Sequence, residues 1–366
     1  MQKTKISLTT DGKGKVVDIT KKLHERDLGS LNFTAGQTST LELPRNYSLD
    51  KLKFRLTATL YRAAGATAGA PMDLGSIAQL ISRIEVRKNG REVLKAIDFE
   101  TLCRLCELRS GTPMSNRRII SGTGAAVTTE WDGFVAVTTG ANAIEFELSA
   151  VLDFGMWNAI RRNDSLLDTT WRGGITTLDL VITWGQYDDI MTSAYNPAAA
   201  PGVAADVAPV LQISTDEYID PDAKPGEYIE NREYGVRIVV TATNPKLQHR
   251  FNIGNRFRSF IIKTHSDDCQ RNDILNNVKI ISGSDVYKNR NSTQLRQENK
   301  SELHLETMPT GYYLLEFCKD GHLSRSVNTV GLSDLTCEMD VTLQGTTCIV
   351  EIFPVELVRV PVTAIR

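Results

Sequence analysis

Cysteine, histidine and aspartate are the side chains of this sequence that could form a metal or catalytic site. Cys103 and Cys106 have the C-x-x-C spacing of half a zinc site. No second cysteine or histidine pair follows at the distance that a zinc site requires. A helix would place both thiols on its apolar face, which favours a role in the hydrophobic core.

The five histidines are isolated from one another along the chain. A metal-binding jelly-roll enzyme of the cupin type would need two histidines one residue apart on a strand, with a carboxylate and a third histidine nearby. That pattern is absent from the sequence, which weakens an enzymatic interpretation. The five are His24, His249, His265, His304 and His322.

Five aspartates in polar segments are the nearest approach to paired carboxylates. A glycosidase would need two of them facing each other across roughly 5 to 9 Å. Adjacent aspartates in loops are more often turn residues or solvated charges. Hard loop oxygens could also bind a structural calcium ion, the single cofactor that the sequence leaves open. These residues are Asp188, Asp189, Asp267, Asp268 and Asp273.

Three further patterns have a functional and a structural interpretation. The run Ser121–Gly124 resembles part of a phosphate loop but lacks its Lys-Ser/Thr ending, so we interpret it as a loop. The pairs Arg117-Arg118 and Arg161-Arg162 could form ion pairs between subunits or remain solvated. The tryptophans favour core positions over a sugar-stacking platform: Trp131, Trp157, Trp171 and Trp184.

Composition narrows the class of protein. The chain has 366 residues and a net charge of −2, with 41% hydrophobic and 23% charged residues. This balance gives no basic surface for coating nucleic acid. No apolar run approaches the roughly 20 residues of a membrane-spanning helix, and the N-terminus lacks a signal-peptide core. We therefore expect synthesis in a cytoplasm, with the six cysteines reduced.

Short alternating segments dominate the sequence. In residues 50–61, apolar side chains fall at every second position, as in a half-buried strand. Residues 81–90 predict a strand that ends in the turn Asn89-Gly90. The following stretch, AIDFETLCRLCEL, predicts a short helix with Asp98 near its N-cap.

The same order of segments occurs again in the second half. Residues 275–286 predict a strand, a Ser-Gly turn and the ending acid-Val, as in residues 81–93. A polar helical segment, NSTQLRQENKSELHL, then follows. The first half differs by its inserts at 110–143 and 187–209, which are rich in Gly, Thr and Ser or in Ala and Pro. A tandem repeat of one domain is therefore predicted.

The predicted fold class is all-β, with two tandem eight-stranded jelly rolls and short helical insertions. We divide the chain into an N-terminal arm (1–30), a first jelly roll (31–220), a linker (221–233) and a second jelly roll (234–366). The Lys-rich arm could contact a neighbouring subunit or an anionic membrane, or could simply be solvated.

This pattern resembles a known family. The two predicted jelly rolls, the helix after Asn89-Gly90-Arg91-Glu92-Val93 and the closing block GYYLLEFCKDGHLSRSVNTVGLSDLTCEMDV are similar to double jelly-roll major capsid proteins. These proteins come from tailless icosahedral viruses with an internal membrane, of the tectivirus and corticovirus types, related in fold to adenovirus hexon. The resemblance covers residues from about 31 to 366 and lies in architecture and in the closing block.

The resemblance implies a structural protein of the virion capsid, not an enzyme. It implies a pseudo-hexagonal homotrimer that meets neighbouring capsomers, penton proteins and minor capsid proteins. The N-terminal arm would lie near the viral membrane, and no sequence-specific nucleic acid contact is implied. Two other hypotheses remain: a tandem β-sandwich binding module, such as a lectin or receptor-binding spike, and a jelly-roll carbohydrate-active enzyme.

Overall fold

The structure is a computed structural model of the whole chain. It describes residues 7–9, 16–18, 22–61, 72–73, 78–110, 115–121, 126–130, 134–135, 141–155, 166–169, 174–186, 209–219, 227–266 and 269–361. These residues form short strands and two α-helices, which agrees with the predicted fold class.

The first half contains strands β1 to β15 and helix α1. Their bounds are β1 Ser7–Thr9, β2 Val16–Asp18, β3 Lys22–Asn32, β4 Thr38–Glu42, β5 Ser48–Tyr61, β6 Met72–Asp73, β7 Ile81–Lys88, β8 Glu92–Ile97, α1 Phe99–Ser110, β9 Ser115–Ser121, β10 Ala126–Glu130, β11 Phe134–Val135, β12 Ala141–Asp153, β13 Leu167–Asp168, β14 Leu178–Trp184 and β15 Val210–Ile219.

The second half contains strands β16 to β26, helix α2 and one 3-10 turn at Leu323–Arg325. Their bounds are β16 Glu227–Tyr234, β17 Val236–Val240, β18 Asn244–Arg250, β19 Arg256–Ser266, β20 Cys269–Gln270, β21 Leu275–Ser282, β22 Asp285–Asn291, α2 Ser292–Glu302, β23 Tyr312–Glu316, β24 Val327–Asn328, β25 Thr336–Val341 and β26 Cys348–Pro361.

Both halves have the strand order of a jelly roll, whose eight strands are lettered B to I along the chain. In the first half, the first BIDG sheet has the order β3-β15-β5-β12, and the first CHEF sheet has the order β4-β14-β7-β8. In the second half, the second BIDG sheet is β17-β26-β19-β23, and the second CHEF sheet is β18-β25-β21-β22. Strand β16 precedes β17 along the same edge of β26, so the two together form strand B. The two halves therefore repeat one topology.

Local sequence explains the strands and turns that define this topology. Along β5, Leu52, Phe54 and Leu56 are buried in the core, whereas Lys53 and Arg55 lie on the outer face. The E–F turn contains Asn89 and Gly90, both with positive φ (53° and 70°), as a type I′ hairpin turn requires. The E–F turn of the second half uses Gly283, with φ 54°.

One helix follows strand F in each half, and each begins with a capping side chain. The backbone N–H of Thr101 donates to Asp98 Oδ1 at 2.8 Å, which places the N-terminus of α1 where the sequence predicted it. Asn291 caps α2 by accepting from the Thr293 N–H, also at 2.8 Å. The helix predicted within residues 291–305 is thereby confirmed over Ser292–Glu302.

The two sandwiches share one sheet. Strand β8, at the edge of the first CHEF sheet, pairs in parallel with β16, and β16 pairs with β26 of the second half. The result is an 11-stranded sheet that crosses from one sandwich to the other. The first core includes Ile261, Leu314 and Phe353 of the second half, so the halves also share apolar packing.

The domain boundaries drawn from the sequence stay predictions, and two strands lie across them. β3 begins at Lys22, within the stretch expected to be an arm, and pairs with β15 along its length. Its Leu28 and Leu31 pack against the first core. β16 lies within the stretch expected to be a linker, because β26 supplies its partner strand.

Candidate functional site

The Cys103–Cys106 pair lies on α1 in the core, as the sequence predicted. The Cys106 Sγ is 3.1 Å from the backbone N of Val151 and 3.2 Å from its carbonyl O. It thus bonds the edge of β12 beyond the stretch that pairs with β9. Burial raises the pKa of Cys106 to about 11, so the thiol stays protonated at neutral pH.

The histidines predicted as isolated have separate neighbours. The His24 ring lies 5.8 Å from the Tyr47 ring, and the His249 ring lies 4.8 Å from the Phe251 ring. His265 is 3.9 Å from Glu351. His304 follows α2 with a positive φ of 54°, and His322 precedes the 3-10 turn. Within the described residues, no three His, Cys, Asp or Glu side chains are grouped as metal ligands.

The other candidates fall at the surface, in the core or outside the described residues. Asp273 is exposed and accepts two hydrogen bonds from Arg271, at 2.9 and 2.7 Å. Trp184 is buried and donates from Nε1 to Ser39 Oγ at 2.9 Å. Of Arg117, Arg118 and Ser121 only the backbone is described, in β9. The following lie outside the described residues: Asp188, Asp189, Asp267, Asp268, Arg161, Arg162, Gly122, Thr123, Gly124, Trp131, Trp157 and Trp171.

Among the described residues, the junction between the sandwiches gathers buried charges that come from both halves of the chain, and we treat it as the candidate site. Helix α1 lies there between the first sandwich and the outer face of the second BIDG sheet. Its Leu105 and Leu108 line a small gap together with Ile261 and Leu314. Eight of its twelve residues are buried, so α1 is covered on nearly every side.

A first charge cluster holds the strands of the junction together. Lys95 on β8 lies 3.6 Å from Glu233 on β16, and both side chains are almost fully buried. Arg109 of α1 bridges Glu233 and Asp153, at 3.3 Å each. Burial lowers the pKa of Lys95, and the charge of Glu233 opposes that effect. Burial also disfavours the ionised form of Glu233, but Lys95 and Arg109 outweigh it and lower the pKa of Glu233.

A second charge cluster joins the start of α1 to β19. The Lys263 Nζ lies 3.1 Å from Glu100, 3.5 Å from Asp98 and 3.6 Å from Glu351. Burial alone would lower the pKa of Lys263, but the three carboxylates raise it well above its ordinary value. Burial raises the pKa of Glu100, and Lys263 counteracts that rise. The cluster therefore fixes the first turn of α1 against the second sandwich.

Helices α1 and α2 take the same position in their own halves. Eight residues after its N-cap, each has a side chain that bonds the edge of strand G: Cys106 in α1 and Asn299 in α2. Asn299 donates to the carbonyl O of Leu314 at 2.8 Å and accepts from its N–H at 3.1 Å. The predicted repeat therefore extends to single hydrogen bonds. This match between Cys106 and Asn299 could not be predicted from the sequence, because the two side chains differ in type.

Substitution of Asn299 by alanine is expected to lower the free energy of unfolding by about 2–3 kcal/mol. The buried N–H and C=O of Leu314 would each lose their partner, and unsatisfied buried groups are costly. Urea denaturation measures the difference. Gln297→Ala, on the exposed side of the same helix, serves as control and is expected to change stability by less than about 0.5 kcal/mol. Equal losses of stability in the two variants would contradict this role of Asn299 at the edge of β23.

The connections of each jelly roll divide between two ends of the sandwich. In the first half, the D–E, F–G and H–I connections contain the long stretches outside the described residues, and all three leave from the same end. Five exposed apolar side chains lie at the opposite end, and Val239, near the end of β17, does not. The five are Leu23, Val93, Ile253, Val286 and Val330. In the described part of the chain, no helix has the length and apolarity that crossing a bilayer demands.

No protein-family model matches the chain, and no curated protein matches it. Solved structures match it over nearly its whole length. A chain of the Sulfolobus turreted icosahedral virus structure has a TM-score of 0.67 at 12% identity, with 92% of this chain and 91% of that chain covered. The Faustovirus major capsid protein has a TM-score of 0.61 at 9% identity, with 97% and 93% covered.

A third match is the major capsid protein P2 from bacteriophage PM2. Its TM-score is 0.55 at 12% identity, with 92% of this chain and 98% of that chain covered. Likenesses at such low identity establish the fold and leave activity to be argued separately. The chain has the double jelly-roll fold of these capsid proteins, in agreement with the resemblance seen in its sequence.

Proposed function

We propose that this chain is a viral major capsid protein. Its activity is self-assembly into pseudo-hexagonal homotrimers, which tile an icosahedral shell around an internal membrane. The observation that carries the proposal is the tandem repeat itself: two jelly rolls of identical strand order, each with a helix after strand F, joined by one continuous sheet. Three such chains supply six similar sandwiches, which suits a six-cornered capsomer.

The partners follow from that role. Each trimer meets neighbouring capsomers and, at special positions of the shell, penton and minor capsid proteins. The N-terminal arm approaches the viral membrane from the end of the sandwich that carries the exposed apolar side chains. The chain is made in the host cytoplasm and ends in the virion capsid. The proposed role is structural and includes neither a catalytic step nor direct recognition of nucleic acid.

Native mass is the direct test of this function. At micromolar concentration, mass photometry is expected to give a species of about three times the 40.5 kDa of the chain. Negative-stain electron microscopy of the same sample is expected to show particles of hexagonal outline with three-fold symmetry. A strict monomer under these conditions would contradict the proposal, because a capsomer contact should be large and stable.

A further inference from the structure

The junction inside the chain has two components that can be described residue by residue. The edge strand of the first CHEF sheet, β8, pairs in parallel with β16, where Lys95 is the register partner of Glu233. Helix α1 then covers the outer face of the second BIDG sheet. Because the two halves repeat one topology, each component has a counterpart elsewhere in the chain.

The counterpart of Lys95 is Lys288. Lys95 on β8 is opposite Val86, and Lys288 on β22 is opposite Ile280. Each lysine stands two residues after the valine that follows the E–F turn, Val93 in the first half and Val286 in the second. The two lysines therefore occupy the same position of strand F.

The counterpart of Glu233 is Glu25. In the BIDG sheets, the strand G residues bonded by the helices are Val151 and Leu314, and both can be followed across strands D and I to strand B. From Val151, the register partners run through Lys53 to Ser214, and two residues further along strand I Asp216 pairs with Glu25 of β3. From Leu314, they run through Ile261 to Phe353, and two residues further along strand I Val355 pairs with Glu233 of β16. Strand β3 thus stands in the first half where β16 stands in the second.

Two edges of the described chain remain unpaired as a result. Strand β22 is the outer strand of the second CHEF sheet, and β3 is the outer strand of the first BIDG sheet. Their counterparts, β8 and β16, pair with each other. Lys288 has no carboxylate within ion-pair distance among the described residues, and its Nζ lies 6.0 Å from the centre of the Phe317 ring. An exposed strand edge is a template for pairing with a further strand.

Helix α2 is likewise covered on one side only. Thr293, Gln297 and Ser301 are exposed, whereas the counterpart helix α1 is covered by the second sandwich. The outer face of the first BIDG sheet carries a trough of ≈ 560 Å³, lined by residues of β3, β5, β12 and β15 that are mostly small. Asp27, Lys53 and Arg55 are the charged residues of its lining. The position of this trough on the first BIDG sheet corresponds to the position on the second BIDG sheet that α1 covers.

The two uncovered faces carry opposite charges at matching positions, and each charge also has a local partner. Lys53 lies 2.6 Å from Asp216 and 3.2 Å from Glu25, and Arg55 lies 2.7 Å from Glu147. Counted from the N-caps, Leu105 and Arg109 of α1 correspond to Glu298 and Glu302 of α2, which pair locally with Arg290 and Lys319 but remain 31% and 36% exposed. On the opposing face, Lys53 and Arg55 of β5 correspond to Ile261 and Lys263. Acidic positions on α2 therefore match basic positions on β5. Inside the chain, the corresponding positions pack Leu105 near Ile261 and place Arg109 and Lys263 in ion pairs with carboxylates.

We propose that β22 of one copy pairs in parallel with β3 of the next, with Lys288 beside Glu25, while α2 covers the trough on that neighbour's first BIDG sheet. The occupant of each surface is thus a second copy of this chain. The contact joins two different surfaces, so it is heterologous and generates a ring when its rotation closes. This inference rests on the proposed function, in which the ring contains three chains.

Disulfide trapping tests the strand register. In Glu25→Cys/Lys288→Cys, the two cysteines of neighbouring copies would be register partners, within the Cα separation that a disulfide spans. Mild oxidation is expected to give covalent dimers and trimers on a non-reducing denaturing gel, with no larger species. Of the six native cysteines, five are buried free thiols, and the unsubstituted chain measures any background cross-linking, including that from Cys269.

The matched control moves one cysteine to the other edge of the same sheet. Gln248 is exposed on β18, at the far side of the second CHEF sheet from β22. Glu25→Cys/Gln248→Cys is expected to remain at the mass of a single chain. Cross-linking of this control as strongly as the test pair, or a ladder that extends past trimer, would overturn the proposed ring.

Charge reversal separates this interface from assembly in general. Lys288→Glu and Glu25→Lys are each expected to raise the concentration at which the trimer dissociates by about tenfold, and the double reversal to restore it. Thermal melts of the single variants check that each still folds. A wild-type trimer that neither cross-links nor responds to reversal would refute this interface alone. A monomeric wild type would refute the proposed function.

Discussion

Glu233→Leu is expected to lower the free energy of unfolding by about 3–5 kcal/mol, because it leaves two cations without their shared anion in the junction. Lys95 is fully buried and has no other carboxylate in ion-pair contact among the described residues. Arg109 keeps Asp153 as a partner. Urea denaturation at one fixed protein concentration measures the loss, since the proposed assembly would make stability depend on concentration.

The double variant Lys95→Met/Glu233→Leu is the control for this effect. It removes the buried pair as a unit, and is therefore expected to recover most of the loss. The lowered pKa of Glu233 gives a second check through pH. The stabilisation from ionised Glu233 is present above its unfolded pKa of about 4.3 and is lost as pH falls through the lower folded value. If the difference in unfolding free energy between wild type and Glu233→Leu became larger at acid pH, ionised Glu233 would not be the source of the stabilisation.

Lys263→Met is expected to lower the free energy of unfolding by a similar amount, about 3–5 kcal/mol. The substitution leaves Glu100 and Glu351 in buried or half-buried positions without their common cation. It also releases the first turn of α1 from β19, so the amides of that turn are expected to lose protection in hydrogen exchange. Both readouts apply to the same purified protein.

A surface pair supplies the matched comparison. Lys279 lies 3.0 Å from Glu338 on the exposed face of the second CHEF sheet, with its side chain 36% exposed. Lys279→Met is expected to cost no more than about 1 kcal/mol, since water screens such pairs. If the two lysine variants were equally stable, burial of charge at the junction would not be what holds α1 in place.

Much of the fold was predictable because strand alternation and turn chemistry are local. The apolar face of β5, the turn at Asn89-Gly90 and the N-cap at Asp98 can each be identified within a dozen residues. The assignment of Cys106 to the core was confirmed for the same reason, since helical spacing places it on the apolar face.

The junction could not be predicted in this way. Lys95 has the appearance of a surface residue in its own strand and is buried because β16, more than a hundred residues later, adds to the same sheet. Glu233 lies in a charged stretch with two prolines, which is typical of a linker. Its strand forms because β26 provides a partner from the end of the chain. Contacts of such sequence separation leave no periodic signal.

The continuous sheet across the junction has a mechanical consequence for a shell. Backbone hydrogen bonds run from β4 at one side to β20 at the other, so bending the two sandwiches relative to each other would break strand pairs and expose the buried charges. Each chain should therefore behave as a stiff plate. In the proposed capsid, curvature and any adjustment between flat facets and vertices must then come from the seams between capsomers.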